Sequence, residues 1–246
     1  MDKIMPESWK ESTKPHLFCP GCGHGIVMRH LGNVIDEMKI SRDVTLGIDI
    51  GCSLLSWNLF NVDTIQTHHG RTTPTMVGYK QVKEDRIAIA YMGDGGGYAI
   101  GLQSMVHAAY RNNPITVIVV NNENYAMTGG QASPTSPVGM VTPTSPSGKS
   151  SEFGTGFHAP EMIAGIANKN AFIARGTVTN PIQMASLIKK AIECQKSGNF
   201  AMIEILSMCP TNWKTNAKQS FEMLKEMELL YPQGEFKTGK TEMEQK

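Results

Sequence analysis

The chain has no excess of charge of either sign: 23 Lys and Arg stand against 22 Asp and Glu in 246 residues, a formal net charge of +1 at pH 7. That balance leaves no electrostatic footprint for a nucleic acid or an anionic membrane, so a small molecule or a protein is the expected partner. Long apolar runs are missing too. No run approaches the roughly 20 residues of a membrane span, and Met1-Asp-Lys-Ile-Met-Pro lacks the apolar core of an export signal, so a cytoplasmic protein is expected. Cysteine is scarce. The five present, in a chain without an export signal, argue against a disulfide framework and toward metal or redox chemistry. No internal repeat is found.

What the sequence does have is a strand, a Gly-rich turn, a helix and a second strand. Ile87 to Met92 is apolar and runs into Gly93-Asp94-Gly95-Gly96-Gly97. Ile100, Leu102, Met105, Val106, Ala108 and Ala109 recur at helical spacing, and Ile115 to Val120 is a second apolar run ending on Asn121-Asn122. This predicts a βαβ crossover whose two strands emerge on the sheet edge where open α/β sheets bind ligands. No Lys-Ser/Thr pair follows the glycines, so the turn is not a Walker loop, and the spacing is not that of a dinucleotide fingerprint. A carboxylate (Asp94) and an amide oxygen (Asn122), beside glycines and a helix N-terminus, suit a magnesium-bound diphosphate. Mg²⁺ takes six oxygens: two phosphate oxygens, Asp94, Asn122, a backbone carbonyl just beyond and a water would complete the set.

Cys19-Pro-Gly-Cys22-Gly-His24 holds two thiols in one tight turn, a pattern that serves zinc, an iron–sulfur cluster or a thioredoxin-like couple. The last requires a preceding strand, whereas residues 1–18 read as a polar arm over the surface. Zinc and iron–sulfur both need further ligands. A helix is expected from Gly25 to Met38, then a strand from Val44 to Ile50 ending at Gly51-Cys52-Ser53, and a last strand from Phe200 to Met208 ending at Cys209. In a parallel sheet Cys52, Asp94, Asn122 and Cys209 then gather on one edge, which supplies the two missing thiolates. Cys194 falls in the helical run 181–196 and reads as a packing residue. Of the adjacent His68 and His69, the latter is better placed for a site, before the Gly70-Arg71 turn. Residues 125–156, rich in Gly, Ser, Thr and Pro, are expected to form a loop over the diphosphate. Helices at 160–168, 181–196 and 216–230, a strand at 172–178 and a loose charged tail from Pro232 complete the reading. The expected fold is a single α/β domain over 1–246, with a mostly parallel open sheet and helices on both faces, the arm 1–18, and a C-terminal helix and tail at 212–246.

Taken together, Cys19-Pro-Gly-Cys22-Gly-His24, Gly51-Cys52-Ser53, His69-Gly70-Arg71, Gly93-Asp94-Gly95, Asn121-Asn122 after a gap of 25 residues, and Cys209-Pro-Thr211 resemble the β subunit of the 2-oxoacid:ferredoxin oxidoreductases, over about residues 15–212. The resemblance implies a thiamine diphosphate-binding fold. It implies a [4Fe–4S] cluster on Cys19, Cys22, Cys52 and Cys209, and Mg²⁺ on Asp94, Asn122 and the Asn124 carbonyl. It further implies a cofactor site made of Gly51, Cys52, Ser53, His69, Gly70, Gly93, Asp94, Gly95, Gly96, Asn122, Asn124, Ala126, Met127 and Thr128. His69 and Arg71 are this chain's catalytic candidates. The implied reaction is oxidative decarboxylation of a 2-oxoacid to acyl-CoA and CO₂, with coenzyme A as co-substrate and electrons passing through the cluster to ferredoxin. A glutamate for the aminopyrimidine N1′ is expected and absent: neither Glu84 nor Glu123 lies in a matching motif. The resemblance assigns it to the partner α subunit of a complex that in some members includes γ and δ subunits. Two rivals remain: half of a non-redox thiamine decarboxylase or synthase, and a zinc-stabilised α/β binding module on the same four cysteines. Because Ser53-Leu-Leu-Ser-Trp-Asn58 and Ala126-Met-Thr128 carry no cation, an apolar substrate such as 2-oxoisovalerate is expected over 2-oxoglutarate, unless Arg71 or the partner supplies the charge.

Overall fold

The computed structural model describes residues 5–13 and 15–239. In chain order the elements are α1 (Gly23–Met38), β1 (Val44–Ile48), β2 (Asp63–Gln66), α2 (Thr72–Val82), β3 (Ile87–Gly93), α3 (Leu102–Tyr110), β4 (Thr116–Asn121), β5 (Asn124–Tyr125), β6 (Gln131–Ala132), α4 (Ala159–Ile166), β7 (Phe172–Thr177), α5 (Pro181–Lys196), β8 (Ala201–Leu206), α6 (Pro210–Trp213), α7 (Ala217–Leu230) and β9 (Gly234–Thr238). Seven strands form one sheet in the order β2-β1-β3-β4-β8-β7-β9, parallel throughout except for β9. The near-continuous apolar runs of β1, β3, β4, β7 and β8 become buried inner strands because helices cover both faces of the sheet. On β3 the alternation is direct. Ile87, Ile89 and Tyr91 join α1, α5 and α7 in one core, while Ala88, Ala90 and Met92 join α2, α3 and α4 in the other.

The strand order reverses at β1, whose neighbours are β2 on one side and β3 on the other. Chain leaving β1 and β3 therefore diverges and opens a crevice at their C-terminal ends. After β3 the glycines form a single π-helical turn, Gly96–Ile100, before α3 begins.

Two segments differ from the sequence reading, and a third gains detail. The N-terminal arm does not simply run over the surface: Trp9, only 4% exposed, packs edge-on to Phe60 at 6.1 Å and belongs to the core of α1. Residues 1–4 and 14 of that arm lie outside the described residues. The tail from Pro232 is not loose up to residue 239. It forms β9, antiparallel to β7, and covers what would otherwise be an open sheet edge; residues 240–246 lie outside the described residues. The 125–156 loop is folded, with the small β5–β6 ladder and a row of buried hydroxyls at Ser133, Thr135 and Ser136.

Candidate functional site

The thiols of the Cys19 turn are held by backbone hydrogen bonds. The Cys22 N–H donates to Cys19 O at 3.1 Å, and the Gly23 N–H donates to Met208 O at 3.3 Å, tying the turn to the Cys209 strand end. Cys22 is the N-cap of α1 without a side-chain cap hydrogen bond; the Gly25 N–H donates to its carbonyl at 3.2 Å, and the backbone N–H groups of His24 and Gly25 oppose the effect of burial on its thiol. The Cys209 sulfur accepts from Asn212 Nδ2 at 3.5 Å. Every pair among Cys19, Cys22, Cys52 and Cys209 is near enough to interact electrostatically. Burial pushes the thiols of Cys22 and Cys52 up to about 12, and that of Cys209 up as well, so a bound cationic centre is what would hold them as thiolates. Among the described residues, no three His, Cys, Asp or Glu side chains converge on the space of one metal ion. Four mutually close thiols are the donor set both of a tetrahedral zinc and of a [4Fe–4S] cluster. Cys194 stands apart. Its S–H donates to the carbonyls of Asn170 and Phe200, as a packed helix residue does.

Asp94 and Asn122 lie at the ends of β3 and β4, as the crossover requires, and both are buried. Burial pushes the Asp94 carboxyl up to about 6, while hydrogen bonds from Ser133 and Thr135 pull the other way. Asn122 Oδ1 and Asn124 Oδ1 are buried acceptors without a hydrogen-bond donor. A buried oxygen with no donor, close to a carboxylate, fits a hard cation. Between these two asparagines Glu123 adopts φ +60°, a left-handed turn uncommon for a residue with a side chain. The glycine loop is tightly backed. A Cβ at Gly95 would come within 2.2 Å of the Tyr125 ring, and one at Gly96 within 1.9 Å of Asp49 Oδ2, so only glycine fits at either position.

A cavity opens in the crevice. It is lined by Gly51, Cys52, His69, Gly93, Asp94, Gly95, Gly96, Asn122, Asn124, Ala126, Met127 and Thr128, all anticipated, together with His24, Ile50, Ile100 and Tyr125. Ser53, Gly70 and Arg71 do not line it. Ser53 Oγ donates to Asp49 O at 2.9 Å, the Gly70 N–H donates to Asp49 Oδ1 at 2.8 Å, and Arg71 is exposed at the start of α2. The lining contains no lysine, arginine or glutamate. Glu84 is far from it at the opposite strand ends, and Glu123 is buried beside Asp94 and Glu204.

Two side chains escape sequence reasoning. His24 stacks on Phe18 at 5.4 Å, and its Nδ1 lies 2.5 Å from the Tyr91 hydroxyl; burial pushes it down to about 4, so the ring is neutral. Asp49 accepts from Gly70 N–H and, at 3.1 Å, from the Thr72 hydroxyl, which fixes the His69 turn and the start of α2. A polar residue closing an apolar strand was the only hint available for Asp49.

Residues 49–205 match the family model of the C-terminal TPP binding domain of thiamine pyrophosphate enzymes. The chain is 39% identical over 204 residues to the 2-oxoglutarate synthase subunit KorB of Methanocaldococcus jannaschii, covering 82% of this chain and 72% of that one. It belongs to the thiamine diphosphate-binding subunits of the 2-oxoacid:ferredoxin oxidoreductases. The ketoisovalerate oxidoreductase subunit VorA of Methanothermobacter thermautotrophicus is 35% identical over 92% of this chain, and the chain spans about half of it, 49%. A solved 2-oxoglutarate:ferredoxin oxidoreductase from Magnetococcus marinus, at 24% identity, shares the fold with a TM-score of 0.80 over 98% of this chain and 87% of that one. As in the family, the sheet is mostly parallel with helices on both faces.

Proposed function

We propose that the chain is the thiamine diphosphate- and cluster-bearing part of an enzyme that oxidatively decarboxylates a 2-oxoacid to an acyl-CoA, passing electrons to ferredoxin. The convergence of four cysteines on the edge of the sheet that also carries Asp94 and Asn122 supports this reading above all. Asp94, Asn122 and the Asn124 carbonyl hold Mg²⁺ and through it the diphosphate, while the Gly93–Gly96 turn leaves space for it. Cys19, Cys22, Cys52 and Cys209 hold a [4Fe–4S] cluster, with Cys22 at the N-terminus of α1, where the helix dipole favours a thiolate. Cys52 lines the cavity and is also a cluster ligand, so the two centres share a wall. When bound, thiamine diphosphate supplies the electron sink for decarboxylation and the cluster supplies one-electron acceptance. His69 borders the cavity and is the candidate from this chain to hold or move a proton there. Arg71 stands outside it.

Within the class we favour a branched-chain substrate, 2-oxoisovalerate, because a second substrate carboxylate would meet no cation from this chain's cavity wall. The likeness to VorA agrees with that choice, and the likeness to KorB names its rival. The test is kcat/KM for 2-oxoisovalerate, pyruvate and 2-oxoglutarate on the complete complex. A preference for 2-oxoisovalerate over 2-oxoglutarate is expected. A tenfold or greater preference for 2-oxoglutarate, about 1.4 kcal/mol in transition-state binding, would refute the apolar-pocket reading.

A further inference from the structure

We propose that Ser133 and Thr135 are positioning residues for the carboxylate of Asp94, setting the affinity of its site for the divalent cation. The inference rests on the reading of Asp94 as a magnesium ligand given above. Both hydroxyls donate to the same oxygen, Oδ2, each at 2.6 Å. Ser133, Thr135 and Asp94 are 4%, 0% and 1% exposed, so water does not compete for these bonds. Both hydroxyls thus engage one oxygen of a carboxylate that also feels the Gly95 backbone N–H and borders the cavity.

The segment that delivers the hydroxyls is itself fastened on several sides. Ser136 Oγ donates to the carbonyl of Glu123, between the two asparagines of the site. Tyr231, at the end of α7, donates from its hydroxyl to Thr135 O at 2.5 Å, and the Phe157 N–H donates to Pro134 O at 3.1 Å. Lys149 Nζ donates to Ser136 O at 2.7 Å. The hydroxyls are therefore fixed in place independently of the carboxylate they hold. Mg²⁺ demands near-ideal octahedral geometry and tolerates little rotation of a ligating carboxylate, so the partners that hold the carboxylate govern affinity.

The test uses the chain in its native assembly, stripped of cofactor and titrated with thiamine diphosphate at Mg²⁺ levels from micromolar to millimolar, binding being followed calorimetrically. In Ser133→Ala/Thr135→Val the Mg²⁺ concentration that half-supports cofactor binding rises about 10- to 100-fold. Cofactor affinity returns to the wild-type value at saturating Mg²⁺, and Thr135→Ser, which keeps the donor, behaves as wild type. If the double variant does not fold, Ser133→Ala and Thr135→Val taken singly carry the test, each with a rightward Mg²⁺ shift. An unchanged Mg²⁺ dependence overturns the proposal. So does a loss of affinity equal at every Mg²⁺ level, the mark of a purely structural role. Should the wild type itself bind thiamine diphosphate without regard to Mg²⁺, the reading of Asp94 as a ligand falls, and the proposal with it.

Discussion

Asp49 shows how one side chain can organise a site without lining it. Its Oδ1 takes two hydrogen bonds, from Gly70 N–H and the Thr72 hydroxyl, while its Oδ2 is buried against Gly96 without a partner. Burial pushes its carboxyl from the usual 3.8 up to about 6 despite those bonds. A carboxyl whose folded value is raised favours the folded state at low pH, and that contribution is lost as pH climbs from about 4 through 6. In the cofactor-free chain, Asp49→Asn removes this loss. Its melting temperature relative to wild type is expected to be a few degrees higher at pH 7 than at pH 4.5. A difference between the two proteins that stays constant across that range would contradict this assignment. Asp49 and His24 were not legible as site residues because their roles arise from contacts across 21 and 67 positions, with Gly70 and Tyr91. The cysteines, Asp94 and Asn122 were legible because strand ends in a parallel sheet share an edge whatever the side chains between them.

Arg175 and β9 extend the argument from single residues to packed elements. Arg175 is fully buried on β7 and bonds Glu204 of β8, both carboxylate oxygens of Glu161 on α4 at 2.7 Å, and Pro232 O at 2.9 Å. Its guanidinium also lies over the rings of Tyr231 and Phe236, so α7 and β9 close down on this one cation. Arg175→Met leaves Glu204 buried without its counter-charge, and a loss of about 3–5 kcal/mol in unfolding free energy is expected by denaturant titration. A loss below about 1 kcal/mol would show that the pair contributes little. The inner strands β1, β3, β4 and β8 and the helices α1, α3 and α5 over them follow from apolar runs and periods in the sequence. β9 does not: Gly234-Glu-Phe-Lys-Thr238 reads as a charged tail, and it becomes a strand only because β7 offers an open edge. The place of the 125–156 loop was legible but its contacts were not, since hydroxyl-to-carbonyl and hydroxyl-to-carboxylate bonds leave no periodic trace in sequence.

For the molecule as a whole, the proposed function asks more of the site than this chain's cavity wall supplies. No glutamate lines the cavity, and Ile100 and Met127, which do, remain 49% and 44% exposed. An apolar rim beside the cavity is a surface for a partner to cover, and the proposed function places the N1′ carboxylate on that partner. The isolated chain is therefore expected to show no oxoacid-dependent ferredoxin reduction with thiamine diphosphate, Mg²⁺ and coenzyme A, and to gain it on adding its partner; turnover by the chain alone would contradict this. The central claim, that one sheet edge joins a thiamine site to an iron–sulfur centre, is tested most directly by the metal content of the anaerobically purified protein and of its Cys52→Ala and Cys209→Ala variants. About four irons per chain in the wild type, with loss of the cluster in both variants, is the expected result. A single zinc, or no metal at all, or full iron in either variant, would contradict it.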